Sequence, residues 1–366
     1  MIELLSQRPN AMKWQKYSAD ILPLWVADMD FAPAQVIQQA IAEASQDLGY
    51  QLPPEWADEQ VVRWLASEHN CHIEPSWVVW QGGVISGFNT ALASVCQSGD
   101  EVVVPTPTYP PMRQAPVNHG ARCVEMPLEY IDGIWQLNLD KLANQLARPQ
   151  CKAMLISNPM NPTGCVYQQI GEISKLCHQH NVLLVSDEIH ADLVLAGKAH
   201  DSALHYNTDH LVVLMAASKT FNIAGLATSY MICPNAKLRK RVQKAGAGIA
   251  GHANVLGVMA TATAYQAAKP WLNEVKTLLT NNLSVLNRWQ ETQDSLISYP
   301  VNATYLAWMD WRQLTDTPYP HLLSYGIALS DGAPFGAPGW ARLNFACSSD
   351  TLSQALQRMQ QAIEAL

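Results

Sequence analysis

The chain has 366 residues, of which 48% are hydrophobic and 15% charged, and its formal net charge at pH 7 is -8. This length exceeds one ordinary hydrophobic core, so we expect two domains, or one large domain with a smaller companion. The acidic balance argues against a nucleic acid or an anionic membrane surface as the main partner. One short basic cluster is typical of the solvated face of a helix, and it consists of Lys237, Arg239, Lys240, Arg241 and Lys244.

The eight cysteines are scattered without a CxxC pair, and the chain does not begin with a charged segment followed by an apolar one. This pattern predicts a reduced, cytoplasmic protein without structural disulfides or a zinc site. The Ala/Gly-rich segment 245–268 is long enough to span a bilayer, but it contains His252, Asn254 and Gln266. A buried, close-packed helical segment is therefore the better interpretation.

Helical patterns come first along the chain, near residues 35–47, 58–69 and 86–97. Short β-branched runs then alternate with amphipathic stretches such as 171–180. This alternation predicts an α/β fold with a mostly parallel sheet flanked by helices. The β-branched runs cover residues 101–105, 153–157, 182–186, 211–216 and 230–233.

The pattern changes again after about residue 270. Residues 271–293 read as a long amphipathic helix, strands are predicted near 303–309 and 341–345, and a closing helix near 350–365. We assign residues 30–270 to a large domain. The smaller α+β domain comprises residues 1–29, as an N-terminal arm, together with 271–366.

Unusual polar side chains follow four of the predicted strands. Tyr109 comes after the first strand, Asn161 after the second, Asp187 after the third and Lys219 after the fourth. In open α/β sheets, ligands bind outside the carboxyl ends of the strands. We therefore expect these four residues to converge on one pocket.

A lysine amine, a carboxylate, an amide and a hydroxyl are the groups that hold pyridoxal phosphate. Lys219 can form a Schiff base with the aldehyde, and Asp187 can pair with the ring nitrogen and keep it protonated. Strand alternation turns Asp187 and Glu188 to opposite sides, so only one of them faces the ring. The alternatives are an Asp187 that caps a turn, or a metal cluster of Asp187, Glu188 and His190. No further ligand at a familiar spacing supports the metal.

Three further side chains have both a functional and a plain interpretation. Asn161 lies between two Asn-Pro pairs and can donate to the cofactor's phenolate oxygen, or it belongs to a purely structural turn. His190 can donate to the same oxygen, or it is a histidine at the surface or one that contacts only the side chains behind the site. Tyr109 can lay its ring on the pyridine, or it is a loop tyrosine.

The phosphate and the substrate carboxylate each need a separate anchor. The Gly-rich turn 81–87 follows a strand-like run and precedes a helix, where backbone N–H groups bind anions, and Ser218 can add a hydroxyl. Arg342 lies in the strand-like run 340–345, where a half-buried guanidinium needs an anionic partner. That partner is a substrate carboxylate or an acidic residue of the small domain.

Three segments in this order carry a family resemblance: NPMNPTG at 158–164, SDEIH at 186–190 and SKTFNIAGL at 218–226. They resemble the class I/II aminotransferase superfamily of fold-type I pyridoxal-phosphate-dependent enzymes. The run LPLWVADMDF at 22–31 and the segment 342–347 are similar to its MalY/PatB branch, the cystathionine β-lyase-type C–S lyases. The resemblance covers nearly the whole chain.

The resemblance implies a role for each candidate residue. Lys219 is expected to be the Schiff-base lysine and proton shuttle, with Tyr109 as a second catalytic residue. Arg342 and Asn161 are expected to bind the substrate, Arg342 through the α-carboxylate. The resemblance also implies a homodimer, in which Tyr50 reaches the neighbouring subunit's phosphate. The other cofactor contacts that it implies are Asp187 with the ring nitrogen, Asn161 and His190 with the phenolate oxygen, Tyr109 stacked on the ring, and Val84, Ile85 and Ser218 with the phosphate.

Two departures from the family pattern bear on the site. Many aminotransferases have a phosphate-binding arginine eight residues after the lysine, and this chain has Ala227 there. The run 51–54 after Tyr50 is also unlike the usual continuation of that loop, which points to an altered substrate entrance.

The resulting prediction is a C–S β-lyase that converts cystathionine or another cysteine S-conjugate to a thiol, pyruvate and ammonia. One alternative is an aminotransferase, which shares the early steps but returns the proton to the cofactor. The other is a regulatory or interaction protein with this fold, which predicts a damaged site, whereas Lys219, Asp187, Asn161 and Arg342 are all present.

Overall fold

The computed structural model describes residues 2–5, 8, 10–195 and 197–366. The α-helices are α1 (Met12–Gln15), α2 (Gln35–Ala44), α3 (Glu55–His69), α4 (Val84–Ala93), α5 (Pro110–Asn118), α6 (Leu139–Leu146), α7 (Ile170–Gln179), α8 (Ala217–Thr220), α9 (Ala236–Gly246), α10 (Val255–Ala267), α11 (Lys269–Gln290), α12 (Pro318–Ser324) and α13 (Ser349–Glu364). The strands are β1 (Leu22–Pro23), β2 (Val78–Gln81), β3 (Glu101–Thr106), β4 (Arg122–Pro127), β5 (Glu129–Ile131), β6 (Ile134–Gln136), β7 (Cys151–Ser157), β8 (Leu183–Asp187), β9 (Leu211–Met215), β10 (Ser229–Ile232), β11 (Ile297–Ser298), β12 (Leu306–Asp310), β13 (Ile327–Ala328), β14 (Ser330–Asp331) and β15 (Trp340–Asn344).

A seven-stranded sheet forms the centre of the larger part, in the order β2-β10-β9-β8-β7-β3-β4. The five strands from β9 to β4 are parallel, and β10 is antiparallel to both of its neighbours. Strands β3, β8 and β9 are buried along their whole length, which explains why they read as continuous apolar runs rather than alternating ones. The prediction of a mostly parallel sheet flanked by helices is confirmed.

A smaller antiparallel sheet has the order β11-β12-β15-β14 and is made by the last third of the chain. The N-terminal arm joins this part because β1 pairs in parallel with β13. On β15, Arg342 lies opposite Trp308 of β12 and Ser330 of β14. This register carries a buried guanidinium toward the large sheet. The domain boundaries at residues 30 and 270 stay a prediction.

Two parts of the fold differ from the sequence-based prediction. The edge strand β4 and the hairpin β5–β6 were not anticipated, because their exposed and buried residues do not alternate regularly. The Ala/Gly-rich segment becomes helical at Val255, where the Asn254 side chain accepts from the Gly257 N–H at 2.8 Å. Helix α10 then packs against α2 and α3, so the prediction of a buried, close-packed helix is confirmed for this part. It is wrong for residues 247–254, which are not helical and are mostly exposed.

The structure also shows the state of the cysteines, the position of the basic cluster and the character of the longer helices. All eight cysteines are unpaired. The basic cluster lies on α9, where only Leu238 and Val242 are buried, as a solvated helix face requires. Within the described ranges, no helix has the length and apolarity needed to cross a membrane.

Candidate active site

The predicted site residues meet at the carboxyl ends of the central strands. Strand β8 ends at Asp187, which lies opposite Ser157 at the end of β7. Lys219 lies in α8, directly after β9. A cavity of about 770 Å³ opens here and is lined by nine of the ten candidates: Val84, Ile85, Tyr109, Asn161, Asp187, His190, Ser218, Lys219 and Arg342.

The amine of Lys219 is held at the cavity wall by the N-terminal arm. Its Nζ donates to the backbone carbonyl of Ala27 at 2.8 Å. Burial lowers the pKa of Lys219 to about 8, an effect that Arg342 reinforces and that Asp28 and Asp187 oppose. A large fraction of the amine is therefore neutral near pH 8 and can act as a nucleophile or a base.

Asp187 is almost completely buried, with 3% of its surface exposed. Its Oδ1 accepts the Ile189 N–H at 3.2 Å, but no cation pairs with it among the described residues. Burial raises the pKa of Asp187 to about 7, and the charge of Glu188 contributes to this rise. Since a protonated ring nitrogen would supply the missing positive charge, this carboxyl suits the role predicted for it.

Glu188 points away from the cavity, as strand alternation predicts. Its carboxylate accepts from the Ser202 hydroxyl at 2.7 Å and the Ala203 N–H at 2.9 Å, and it contacts His200 Nε2 at 2.8 Å. Burial acts to raise the pKa of Glu188, but His200 and these hydrogen bonds lower it below its ordinary value. The pKa values of the two neighbouring carboxyls are thus shifted in opposite directions.

The described part of the chain contains no group of three or more potential metal ligands.

Arg342 is buried and has no acidic partner among the described residues, so the internal salt bridge considered above is wrong. Its Nη1 donates to Asn161 Oδ1 at 2.6 Å, and its Nη2 donates to the carbonyl of Trp25 at 2.8 Å and to Ser330 Oγ at 3.1 Å. Its guanidinium lies 4.8 Å from the ring centroid of Phe335, and its Nε has no partner. Although burial lowers the pKa of Arg342 to about 10, the group stays charged at neutral pH and is available to an anion in the cavity.

The contact with Arg342 also determines the orientation of Asn161. Because Oδ1 accepts from the guanidinium, the amide nitrogen must be the atom that is left to donate elsewhere. An amide N–H donor at the cavity wall is what a cofactor phenolate oxygen requires. The structure therefore brings together the substrate anchor and one cofactor contact that the sequence placed in separate motifs.

His190 and Tyr109 complete the wall of the cavity. Burial lowers the pKa of His190 to about 3, and Lys219 and Arg342 reinforce the effect, so the imidazole is neutral. Its Nδ1 has no partner, and its ring packs edge-on against Tyr305. Burial and the charge of Asp187 raise the pKa of Tyr109, which keeps the phenol protonated. The structure does not place His190 at the surface.

The opposite end of the cavity is formed by the start of α4. Gly83 precedes this helix with φ +106°, a conformation that disfavours a side chain, and Val84 and Ile85 follow in the first turn. The unpaired N–H groups of a helix start favour an anion, and Ser218 lines the same region. Ala227 also lines the cavity, in the left-handed conformation with φ +45°, where some relatives are expected to have arginine.

Tyr50 is the exception among the candidates. It lies in the loop between α2 and α3, is fully exposed, and does not line the cavity of its own chain. The role expected for it in a neighbouring subunit stays a prediction.

Several cavity residues were not identified from the sequence. The N-terminal arm contributes Lys16, Trp25 and the Ala27 carbonyl. Ser330 of β14 and Phe335 of the segment between β14 and β15 also line the cavity. The run 22–31 was noted only as a resemblance. Nothing in its residue pattern indicated that its backbone carbonyls would bind the amine and guanidinium of the site.

Comparison with known proteins agrees with this geometry. The model of the family described as aminotransferase class I and II matches residues 19–359. The chain belongs to the aminotransferase class I and II family. Cystathionine beta-lyase PatB of Bacillus subtilis is 31% identical and is aligned over 97% of each chain.

Solved structures have the same fold over almost their full length. OvoB superposes with a TM-score of 0.95 at 32% identity, covering 99% of this chain and 98% of that chain. The PLP-bound C–S lyase from Staphylococcus hominis superposes with a TM-score of 0.90 at 26% identity, covering 99% and 97%. PLP is the abbreviation for pyridoxal phosphate.

The residues of the cavity fit this cofactor. The fit rests on the buried Asp187 carboxyl without a cation, the unpartnered Nδ1 of His190 and the helix start after Gly83. Lys219 supplies the amine from the side of the cavity formed by the N-terminal arm. The donor set therefore matches each polar part of the cofactor: aldehyde, ring nitrogen, phenolate and phosphate.

Proposed function

We propose that this protein is a pyridoxal-phosphate-dependent C–S β-lyase that cleaves cystathionine or another cysteine S-conjugate to a thiol, pyruvate and ammonia. The observation that carries the proposal is the convergence of the Lys219 amine, the Arg342 guanidinium and the Asp187 carboxyl on one cavity. Full-length similarity to PatB, which is named a cystathionine beta-lyase, favours this reaction within the family.

The cofactor binds through residues that the cavity already orients. Lys219 would bind its aldehyde carbon, Asp187 would pair with its ring nitrogen and the Asn161 amide would donate to its phenolate oxygen. The start of α4 and Ser218 would hold its phosphate, and Tyr109 would pack against its ring. When bound, pyridoxal phosphate supplies an electron sink that stabilises negative charge at the substrate Cα.

Arg342 orients the substrate by binding its α-carboxylate. The four hydrogen-bond and ring contacts of the guanidinium fix its plane, so the bound amino acid has one orientation relative to Lys219. This anchor acts on the substrate and the transition state alike, and it therefore contributes to affinity rather than to the chemical step.

Lys219 moves the proton. Its amine would remove the proton from Cα, and burial near Arg342 favours the neutral form that this step needs. The C–S bond then breaks, and the thiolate leaves with the bonding electron pair. Addition of water to the remaining three-carbon unit yields pyruvate and ammonia.

An aminotransferase is the alternative, and it differs in where Lys219 returns the proton. Purified protein with pyridoxal phosphate is incubated with L-cystathionine, and separately with L-alanine and a keto acid. We expect thiol, pyruvate and ammonia from cystathionine without a keto acid. Amino-group transfer that requires a keto acid, without thiol release, would replace the lyase by a transferase. The intact cavity argues against a purely regulatory role.

We further propose a homodimer as the active unit, in a reducing compartment such as the cytoplasm. Support comes from exposed apolar side chains around Tyr50, namely Leu48 and Leu52, and from Ile249 in the loop before α10. Exposed apolar groups of this size are typical of a covered interface. Sedimentation of the cofactor-bound protein tests it, and a monomer with full activity would exclude it.

A further inference from the structure

The N-terminal arm and the small sheet contribute two opposite charges to the lining of the cavity. Lys16 follows α1 and Asp331 ends β14, and both line the same cavity as Lys219 and Arg342. Neither forms an ion pair with a described residue, and they do not pair with each other. Nothing in the chemistry described so far uses them.

Trp25 fixes the position of Lys16 relative to the substrate anchor. Its carbonyl accepts from Arg342 Nη2 at 2.8 Å, and its indole N–H donates to the Lys13 carbonyl at 3.1 Å. The Lys16 ammonium lies 4.2 Å from the centroid of the Trp25 ring, a cation–π contact. Trp25 therefore contacts both Arg342, through its carbonyl, and Lys16, through its ring.

Asp331 is tied to the same anchor from the other side. Its neighbour Ser330 accepts a hydrogen bond from Arg342 Nη2 and donates one to the Trp25 carbonyl. Tyr319 also lines the cavity. The pKa of its phenol is raised by the hydrogen bond with Tyr17 and by burial, while the charge of Lys16 lowers it and that of Asp331 raises it. Both charges are thus close to the same phenol.

The surface between the two ends of the cavity is apolar. Phe335 packs against the Arg342 guanidinium, and Leu329 and Pro334 line the same stretch. A thioether has no hydrogen-bonding need and suits such a surface. The carboxyl carbons of an extended cystathionine lie roughly 9 Å apart, since seven bonds of about 1.5 Å separate them.

We propose that Lys16 and Asp331 form a second binding position for the leaving thiol, and that the preferred substrates are cysteine thioethers whose distal end is itself an amino acid. Lys16 binds the distal carboxylate and Asp331 the distal ammonium. This inference rests on the proposed lyase function and names its substrate class. It predicts selection for a zwitterionic leaving group over an uncharged one.

Three substrates with the same three-carbon chain on the sulfur distinguish the contribution of the distal carboxylate from that of the distal ammonium. L-Cystathionine has both distal groups, S-(3-carboxypropyl)-L-cysteine has only the carboxylate, and S-propyl-L-cysteine has neither. The measured quantity is the ratio of kcat/KM values between substrates, with thiol release as the readout. The variants are Lys16→Met and Asp331→Asn, and the matched controls are Lys175→Met on α7 and Asp294→Asn after α11, which are exposed and do not line the cavity.

Each variant has its own expected pattern. Lys16→Met should lower the preference for both carboxylate-bearing substrates over S-propyl-L-cysteine about fivefold, as for a partly exposed ion pair strengthened by hydrogen bonds. Asp331→Asn should lower only the preference for L-cystathionine over the carboxypropyl compound, by a similar factor. Control variants should keep all ratios. Unchanged ratios in the two cavity variants, or equal loss on all three substrates, would overturn the proposal.

A binding measurement keeps this test independent of the reaction type. In the Lys219→Ala background, calorimetric titration gives the dissociation constant of each compound without turnover. If the unmodified protein releases no thiol from any substrate, the lyase function fails, and the titration still decides the inference. Tighter binding of L-cystathionine that Lys16→Met and Asp331→Asn weaken supports it, and equal binding of all three compounds refutes it.

Discussion

Replacing Asp187 by asparagine should stabilise the cofactor-free protein and weaken its hold on the cofactor. Burial raises the pKa of Asp187 from 3.8 to about 7, so ionising this carboxyl in the folded state is costly. At 1.36 kcal/mol per pKa unit the cost is at most about 4 kcal/mol, and water in the cavity reduces it to roughly 1 to 3 kcal/mol. An asparagine keeps an acceptor for the Ile189 N–H.

The sign of the pH dependence follows from this shift. The folded state binds the proton of Asp187 more tightly than the unfolded state, so its contribution to stability is lost as pH rises from about 4 to about 7. Urea unfolding of cofactor-free protein should therefore show no advantage of Asp187→Asn at pH 4 and the full advantage at pH 8. With the cofactor bound the effect reverses, because the variant lacks the counter-charge of the ring nitrogen, and the dissociation constant should rise at least about tenfold.

Glu188→Gln is a matched control with the opposite expectation. This adjacent buried carboxylate contacts His200 and accepts hydrogen bonds from the Ser202 hydroxyl and the Ala203 N–H, and its pKa is below the ordinary value. Its neutralisation should destabilise the cofactor-free protein at pH 8 by about 2 to 4 kcal/mol. The reasoning is refuted if Asp187→Asn is less stable than the unmodified protein at pH 8, or if both variants change stability in the same direction.

Three further predictions test the remaining parts of the site. Lys219→Ala should abolish turnover and the absorbance band of the lysine-bound cofactor, and a fully active variant would contradict the assignment. Arg342→Ala should raise KM about tenfold or more with a smaller change in kcat, measured by steady-state kinetics, because the carboxylate anchor acts on substrate and transition state alike; an unchanged KM would point to another anchor. Tyr50→Ala should raise the cofactor dissociation constant of the dimer without changing the unfolding of the cofactor-free chain, and equal cofactor affinity would remove Tyr50 from the phosphate site.

The positions of the central strands along the chain and the residues at their ends could be predicted from the sequence because both are local properties. Buried parallel strands read as apolar runs, and Asp187 and Lys219 each follow one directly. The topology then brings strand ends together at one edge of the sheet, so four separate motifs predict one cavity. The edge strand β4 escaped prediction since an edge strand exposes much of its surface and lacks such a run.

The partners of these residues depend on contacts between distant parts of the chain. Residue types show that Arg342 needs an anion, but only the packing of β15 against the N-terminal arm gives its guanidinium the Trp25 carbonyl, 317 positions away. The same packing places the Ala27 carbonyl on Lys219, 192 positions away. Backbone carbonyls are common to all residues, so no sequence pattern identifies the ones that face a site.

The sequence by itself thus determined the family, the cofactor and most of the polar residues that line the cavity, since these depend on side-chain types and their positions at strand ends. The tertiary structure alone decided the electrostatics: a buried carboxyl at Asp187 without a paired cation among the described residues, a buried but hydrogen-bonded carboxylate at Glu188, and a neutral imidazole at His190. It also decided which charges line the cavity together. The physical reason is that pKa shifts depend on burial and on partners brought together by folding, neither of which is encoded at a single position.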